Sequence, residues 1–90
     1  MTEGSLRVEV VSRVRSLWRG RADYVAIPVE DGSLGILRGR QPLLTTLSDG
    51  VVEITLPDGE LLTVDVQGGF ASVDSDFVTV VAEGGKVQGE

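Results

Sequence analysis

The chain has 90 residues, of which 41% are hydrophobic, and it carries a net charge of −6. Its length gives room for a single domain with one core, and its negative charge argues against general affinity for nucleic acid. Cysteine and histidine are both absent, which excludes disulfides, thiolate nucleophiles, histidine general bases and nearly every zinc site.

Hydrophobic residues alternate with polar ones along most of the chain, and this period of two predicts half-buried β-strands. In chain order the clearest segments are LRVEV, DYVAIPV, VVEITL, LLTVDV and FVTVVA. Pro28 lies within the second segment and removes a ladder donor, which predicts an edge strand or a bulge there. No segment has a helical period. The pattern predicts an all-β sandwich or barrel of roughly nine or ten short strands.

The two ends of the chain are polar and rich in glycine. We therefore expect a flexible N-terminus over residues 1–5, one β-domain over residues 6–83 and a flexible tail over residues 84–90. The Gly84-Gly85 pair would break a helix that began there.

The stretch DGSLGILRGRQPLL, residues 31–44, raises the question of a phosphate-binding loop. A P-loop needs Lys-Ser or Lys-Thr after its last glycine and a helix behind it, and neither pattern follows Gly39. Turns that need a positive φ account for Gly32 and Gly39. They account less well for the leucines and isoleucine between these glycines.

The arginines are concentrated in the first part of the chain. Residues 1–40 hold seven arginines and five acidic residues, a net of +2, whereas residues 41–90 hold Lys86 and nine acidic residues, a net of −8. An extended conformation of SRVRSLWRGR would place four arginines on one face and three other residues on the opposite face: Arg13, Arg15, Arg19 and Arg21 against Val14, Trp18 and Gly20. A nucleic-acid patch is one interpretation, and a solvated strand face with Trp18 in the core is the one that the net charge favours.

Five motifs in one order, LRVEVVS, DGSLGILRGRQPLL, DGVVEI, VQGGFASV and VTVVAE, resemble the epsilon subunit of F-type ATP synthases. The resemblance covers roughly residues 6–83. It implies a flattened β-sandwich and a non-catalytic central-stalk subunit that links the gamma subunit to the c-ring, coupling ion transport to ATP synthesis. It also implies no cofactor and no catalytic or metal-binding residues. We expect a monomer when isolated, peripheral to the cytoplasmic face of the cell membrane, with no nucleic acid bound and no direct membrane insertion.

The same resemblance places a loop that docks on the c-ring in the glycine-rich stretch, with Ser33 and Leu34 presented outward. The expected docking residues are Asp31, Gly32, Ser33, Leu34, Gly35, Ile36, Arg38 and Arg40. Two features depart from the family pattern. Arg38-Gly39-Arg40 replaces Pro-Gly-His, and Ser33 stands where an acidic residue is common.

Family members usually continue into a C-terminal helical hairpin, whereas this sequence ends at VTVVAEGGKVQGE. The resemblance therefore predicts no C-terminal helical domain, no inhibition by an extended helical arm and no ATP binding tighter than about millimolar. A naturally short subunit and a shortened form both fit. A second hypothesis is a stand-alone β-sandwich adaptor or regulator that binds another protein or an anionic ligand through its arginines. The absence of histidine and of any recognisable triad argues against an enzyme.

Overall fold

A computed structural model describes residues 5–88, and this range contains ten β-strands and no helix. The all-β prediction and its strand number are confirmed. The strands are β1 (Leu6–Ser12), β2 (Ser16–Ala22), β3 (Tyr24–Val29), β4 (Gly32–Ile36), β5 (Leu43–Thr46), β6 (Gly50–Thr55), β7 (Leu61–Gln67), β8 (Phe70–Asp74), β9 (Phe77–Ala82) and β10 (Gly84–Val87).

The strands form two five-stranded sheets that pack as a sandwich. The first sheet has the order β2-β1-β9-β8-β5, and the second has the order β10-β7-β6-β3-β4. All strand pairs are antiparallel except β1 and β9, which run parallel with Arg7 opposite Phe77 and Ser12 opposite Ala82. The first sheet therefore joins an early strand to a late one through its centre.

The core consists of the inward-facing residues of both sheets, as strand alternation requires. Every buried side chain in it is apolar, and no polar or charged side chain is buried among the described residues. Valine and isoleucine dominate because β-branched side chains pack well on a pleated surface. The fully buried members with the largest side chains are Leu6, Ile27, Ile36, Ile54, Val8, Val10, Val25, Val52, Val64, Val66, Val73 and Val78.

The edges of the sandwich decide which surfaces remain free. Edge strand β10 contacts edge strand β2, so these two edges share one side of the molecule. The other two edge strands, β4 and β5, consequently share the opposite side. Residues 37–42 connect them by passing from the second sheet to the first. We call β4, the β3–β4 turn and this connection the β4–β5 side.

The arginine-rich segment does not form one strand, so the predicted single arginine face is wrong. Residues 13–15 bend the chain between β1 and β2, where the Ser12 amide donates to the Arg15 carbonyl at 2.8 Å. Arg19 and Arg21 project from β2, whereas Arg13 lies in the bend. Trp18 is partly buried and packs against the core, as the solvated-face interpretation expected.

The prediction of a flexible tail over residues 84–90 is wrong for Gly84–Val87, which form β10 against β7. Val87 is 6% exposed and belongs to the core. The two glycines allow this pairing because a Cβ at Gly85 would overlap the carbonyl oxygen of Asp65. Beyond the strand, the Gln88 amide donates to the Thr63 carbonyl at 3.0 Å. Residues 89–90 and residues 1–4 lie outside the described range.

Pro28 does not mark an edge strand, because β3 lies between β6 and β4. The pairing of β3 with β6 covers only Tyr24–Ala26 and ends before the proline. Beyond that pairing, the segment before β6 bonds to Pro28 through the Ser48 amide, which donates to the Pro28 carbonyl at 3.0 Å. Pro28 therefore lies beyond the last paired residue of the β3–β6 ladder, and this ladder needs no N–H from it.

Candidate docking surface

Most of the predicted docking loop is a strand. Gly32–Ile36 form β4, the edge strand of the second sheet, which pairs with β3 through a two-residue turn at Glu30 and Asp31. Gly32 has a φ of +134°, a conformation that favours glycine, so the turn interpretation of this residue is correct. The predicted residues thus lie along an exposed sheet edge and are held in place by the β3 ladder.

Alternation along β4 determines which of its side chains reach solvent. Ser33 is exposed, whereas Leu34 packs against the core and Ile36 is fully buried. The expectation that Leu34 faces outward is therefore wrong, because it shares its face with Ile36. Of the apolar residues between the glycines, Leu34 and Ile36 pack into the core, whereas Leu37 is 60% exposed. Ser33 and the β3–β4 turn form the part of this edge that a partner can contact.

Gly35 has a different requirement from the turn glycines, since it does not adopt a positive φ. It lies opposite Ala26 on β3, and the ring of Tyr24, two residues earlier on β3, covers it. A Cβ at position 35 would lie 2.9 Å from Cζ of Tyr24, closer than side chains pack. Gly35 therefore provides room for an aromatic ring, a known way of stabilising a glycine near a sheet edge. The sequence analysis did not identify this role of Tyr24. The available signal was its position on β3, two residues before Ala26.

Arg38 and Arg40 lie in the connection between β4 and β5, and both are exposed. No hydrogen bond or ion pair within residues 5–88 engages their guanidinium groups, whereas Arg13 and Arg19 each pair with a glutamate at 3.4 Å. The connection lines an open depression of about 510 Å³ that extends from Gly35 to Leu43. Two permanent positive charges therefore face solvent at one corner of the β4–β5 side.

The turn between β8 and β9 connects this corner to Arg7, at the start of β1. The Gly39 amide donates to Oδ1 of Asp76 at 2.7 Å, and the Arg7 amide donates to the Asp76 carbonyl at 2.9 Å. Arg7 is the register partner of Arg21. Arg7, Arg21, Arg38 and Arg40 consequently lie at one end of the sandwich, which we call the arginine end. The acidic residues Asp23, Asp58, Glu60, Asp74 and Asp76 lie at the same end. The β1–β2 bend lies at the other end of β1.

A second exposed surface is apolar, and the sequence analysis did not identify it. On the outer face of the first sheet, Phe70 is 45% exposed, Phe77 is 42% exposed and Leu44 is 71% exposed. Phe70 lies opposite Val81, which lies beside Val11, so three neighbouring strands contribute one apolar row. We call Leu44, Phe70, Val81 and Val11 the apolar face. Phe77 lies apart from it, between Arg7 and Asp74 at the end of the sheet. Its sequence signal was the presence of apolar residues at the outward positions of alternating strands.

Among residues 5–88, no helix is present that could cross a membrane, and no three acidic side chains lie close enough together to hold a metal ion.

Comparison with known proteins identifies the family. Residues 5–86 match the β-sandwich domain of the ATP synthase delta/epsilon chain. The ATP synthase epsilon chain of Micrococcus luteus is 44% identical over 77 residues, which cover 86% of this chain and 85% of that protein. This chain belongs to the ATP synthase delta/epsilon family. The epsilon chain of Corynebacterium diphtheriae is 46% identical over 79 residues, and the match spans 64% of its length.

Solved structures share the epsilon-type fold. A chain of the mitochondrial ATP synthase of Euglena gracilis, in a structure of OSCP, F1 and c-ring, superposes with a TM-score of 0.86 over 93% of this chain and 54% of its own length, at 19% identity. A chain of the Tetrahymena thermophila central stalk and c-ring gives a TM-score of 0.68 over 88% of this chain and 63% of its own length, at 15% identity. The flattened sandwich that the family resemblance implied is confirmed.

Family membership also confirms the predicted role at the level of the complex. The epsilon-type chain is a non-catalytic subunit of an ATP synthase, and the complex to which it belongs is membrane-associated. The glycine-rich stretch is the turn, edge strand and connection of the β4–β5 side.

Proposed function

We propose that this epsilon-type subunit links the gamma subunit to the c-ring at the cytoplasmic face of the cell membrane, and thereby couples ion transport to ATP synthesis. A subunit that joins two partners needs two separate contact surfaces of different chemistry. The supporting observation is that the sandwich has both: the polar β4–β5 side, with Arg38 and Arg40, and the apolar face of the first sheet. The c-ring contact is proposed for the first and the gamma contact for the second.

The β4–β5 side has the character of a contact for polar loops. Its exposed residues are Asp31, Gly32 and Ser33 at the turn, with Arg38 and Arg40 in the connection. Leu34 and Ile36 contribute from beneath, since their burial keeps β4 against the core. Because β4 is bound to β3 along its whole length, the turn is presented in a fixed position. A preformed surface loses little conformational entropy on binding.

The apolar face has the character of a protein–protein interface core. Aromatic side chains are enriched in such cores, and an apolar patch of this kind on a soluble domain marks an interaction site. Phe70 and Leu44 lie on neighbouring strands, so a partner could cover both together. The outer face of the second sheet also exposes a leucine, Leu61, which is 60% exposed and provides a matched comparison.

The c-ring contact can be tested by charge reversal at two matched positions. Arg38→Glu with Arg40→Glu changes the β4–β5 side, and Arg13→Glu with Arg15→Glu makes the same change in charge at the far bend. We expect the first pair to lower proton-driven ATP synthesis by at least about tenfold in membranes depleted of epsilon and reconstituted with the variant, since lost ionic contacts weaken docking. The second pair should restore synthesis as the wild type does. Equal effects of the two pairs on ATP synthesis would show that Arg38 and Arg40 do not take part in the c-ring contact.

The gamma contact can be tested with two exposed leucines on opposite faces. Leu44→Ala should weaken binding to isolated gamma by about tenfold in calorimetry, because truncating an interface anchor typically costs more than 1 kcal/mol. Leu61→Ala should leave the affinity unchanged. If Leu61→Ala were the damaging change, gamma would dock on the second sheet. If the wild-type chain bound neither gamma nor the c-ring, the adaptor hypothesis would replace the coupling role.

A further inference from the structure

Asp76 occupies a strained position in the turn between β8 and β9. Its φ is +64°, and that of its neighbour Ser75 is +52°. Aspartate tolerates this left-handed conformation better than most residues, but glycine or asparagine is the commoner choice. The two-residue turn joins Asp74 to Phe77 in register, so the backbone direction at Asp76 is fixed by the hairpin. Its side chain is consequently directed out of the first sheet toward the connection between β4 and β5.

The Asp76 carboxylate forms a short hydrogen bond at the middle of that connection. Oδ1 accepts from the amide of Gly39 at 2.7 Å, in the range of charge-assisted bonds. The connection has one other backbone bond, from the Arg40 amide to the Leu37 carbonyl at 3.3 Å. Gly39 lies between the two exposed arginines and has a φ of +86°. The carboxylate therefore holds the residue whose conformation determines where both arginines point.

The same residue is bound to an interior strand of the first sheet. The Asp76 carbonyl accepts from the Arg7 amide at the start of β1, at 2.9 Å. Asp76 thus connects the arginine-bearing connection to a strand that is paired on both of its sides. Its carboxylate forms no ion pair with Arg38 or Arg40, so both guanidinium groups stay available to a partner.

We propose that Asp76 is a positioning residue for docking: it holds Gly39, and with it Arg38 and Arg40, in the orientation that the partner meets. This inference rests on the proposed function of the β4–β5 side. Without the bond, the connection would have to become ordered when it binds, and the entropy lost would weaken the complex. A purely structural role in the turn would instead leave the docking affinity unchanged.

Three substitutions separate these roles. Asp76→Gly keeps the left-handed conformation but removes the acceptor, whereas Asp76→Asn keeps both the conformation and an acceptor oxygen but removes the charge. Ser75→Gly is the matched control, because it makes the same backbone change one residue earlier and leaves the Asp76 carboxylate in place. The bond between the Arg7 amide and the Asp76 carbonyl is available in all three. Thermal unfolding of each variant would establish that it is folded.

The first measurement is hydrogen exchange of the Gly39 amide by NMR in the isolated chain. Asp76→Gly should accelerate exchange by about tenfold or more, since a hydrogen bond to a charged acceptor is lost. Asp76→Asn should change the rate only a few-fold, and Ser75→Gly should leave it near the wild-type value. An unchanged rate in Asp76→Gly would show that the carboxylate does not hold the connection, and the inference would fail.

The second measurement is the affinity of each variant for ATP synthase from which epsilon has been removed. Asp76→Gly should raise the dissociation constant by about tenfold, while Asp76→Asn and Ser75→Gly stay close to the wild type. If the Gly39 amide exchanged faster in Asp76→Gly but the dissociation constant were unchanged, Asp76 would have only a structural role in the turn. If Asp76→Asn bound as weakly as Asp76→Gly, the negative charge of Asp76 would support docking and its hydrogen bond to Gly39 would not. Failure of the wild type itself to bind would overturn the docking function, while the exchange rates would still decide whether Asp76 holds the connection.

Discussion

The contact between Tyr24 and Gly35 is a residue-scale feature with a measurable consequence. Gly35→Val places a branched side chain where the Tyr24 ring lies, at 2.9 Å from Cζ for the first added atom. We expect a loss of about 1 kcal/mol in the free energy of unfolding, the lower end of the range for overpacking, because the exposed Tyr24 ring can move aside. Urea unfolding, followed by the fluorescence of Trp18, measures it.

The control for this prediction is removal of the ring. In a Tyr24→Ala background the valine should cost much less, because Tyr24 is 37% exposed and its ring is the main obstacle. If Gly35→Val lowered the free energy of unfolding equally in both backgrounds, the backbone of β4 and not the Tyr24 ring would explain why glycine is required.

At this scale the sequence predicted conformations better than contacts. It was correct that Gly32 and Gly39 need a positive φ, because turn chemistry is local. It was wrong about the outward direction of Leu34 and did not identify the role of Gly35. Both depend on which residue lies across the sheet, and alternation along a single strand does not specify the neighbouring strand.

At the scale of elements, β10 is the strand whose presence is most easily tested. Val87→Asp would place an unpaired charge at a position that is 6% exposed, and we expect a loss of about 3 kcal/mol in the free energy of unfolding. Lys86→Ala, at the adjacent exposed position, should change it by less than about 0.5 kcal/mol. Chemical denaturation of the two variants makes the comparison. Equal stabilities would mean that residues 84–87 do not pack as a strand.

Strand positions were predictable from alternation, but strand neighbours were not. β1, β6, β7 and β9 follow the pattern closely, and each was predicted. β10 was missed because its two glycines carry no hydrophobic signal and are needed for close approach to β7. The interior place of β3 was missed because the pairing of β3 with β6 stops before Pro28, a detail of register that local sequence does not contain.

At the scale of the whole molecule, the pairing pattern predicts slow folding. The parallel pair of β1 and β9 joins residues from opposite ends of the chain, such as Arg7 and Phe77, and much of the first sheet depends on it. Chains dominated by such distant contacts fold in milliseconds to seconds. Stopped-flow refolding monitored by Trp18, the single tryptophan, should show a phase in that range. Complete refolding within microseconds would contradict a transition state that requires this pair.

The parallel ladder between β1 and β9 also determines how the sandwich carries mechanical load. A pull directed along the strands loads the evenly spaced bonds of this ladder together, in shear, whereas a pull across the strands opens them one after another. The bond between the Arg7 amide and the Asp76 carbonyl lies at the end of the ladder, beside the turn that holds the connection of the β4–β5 side. A force along the strands that enters through this connection is therefore transmitted to the first sheet in its stiffest direction.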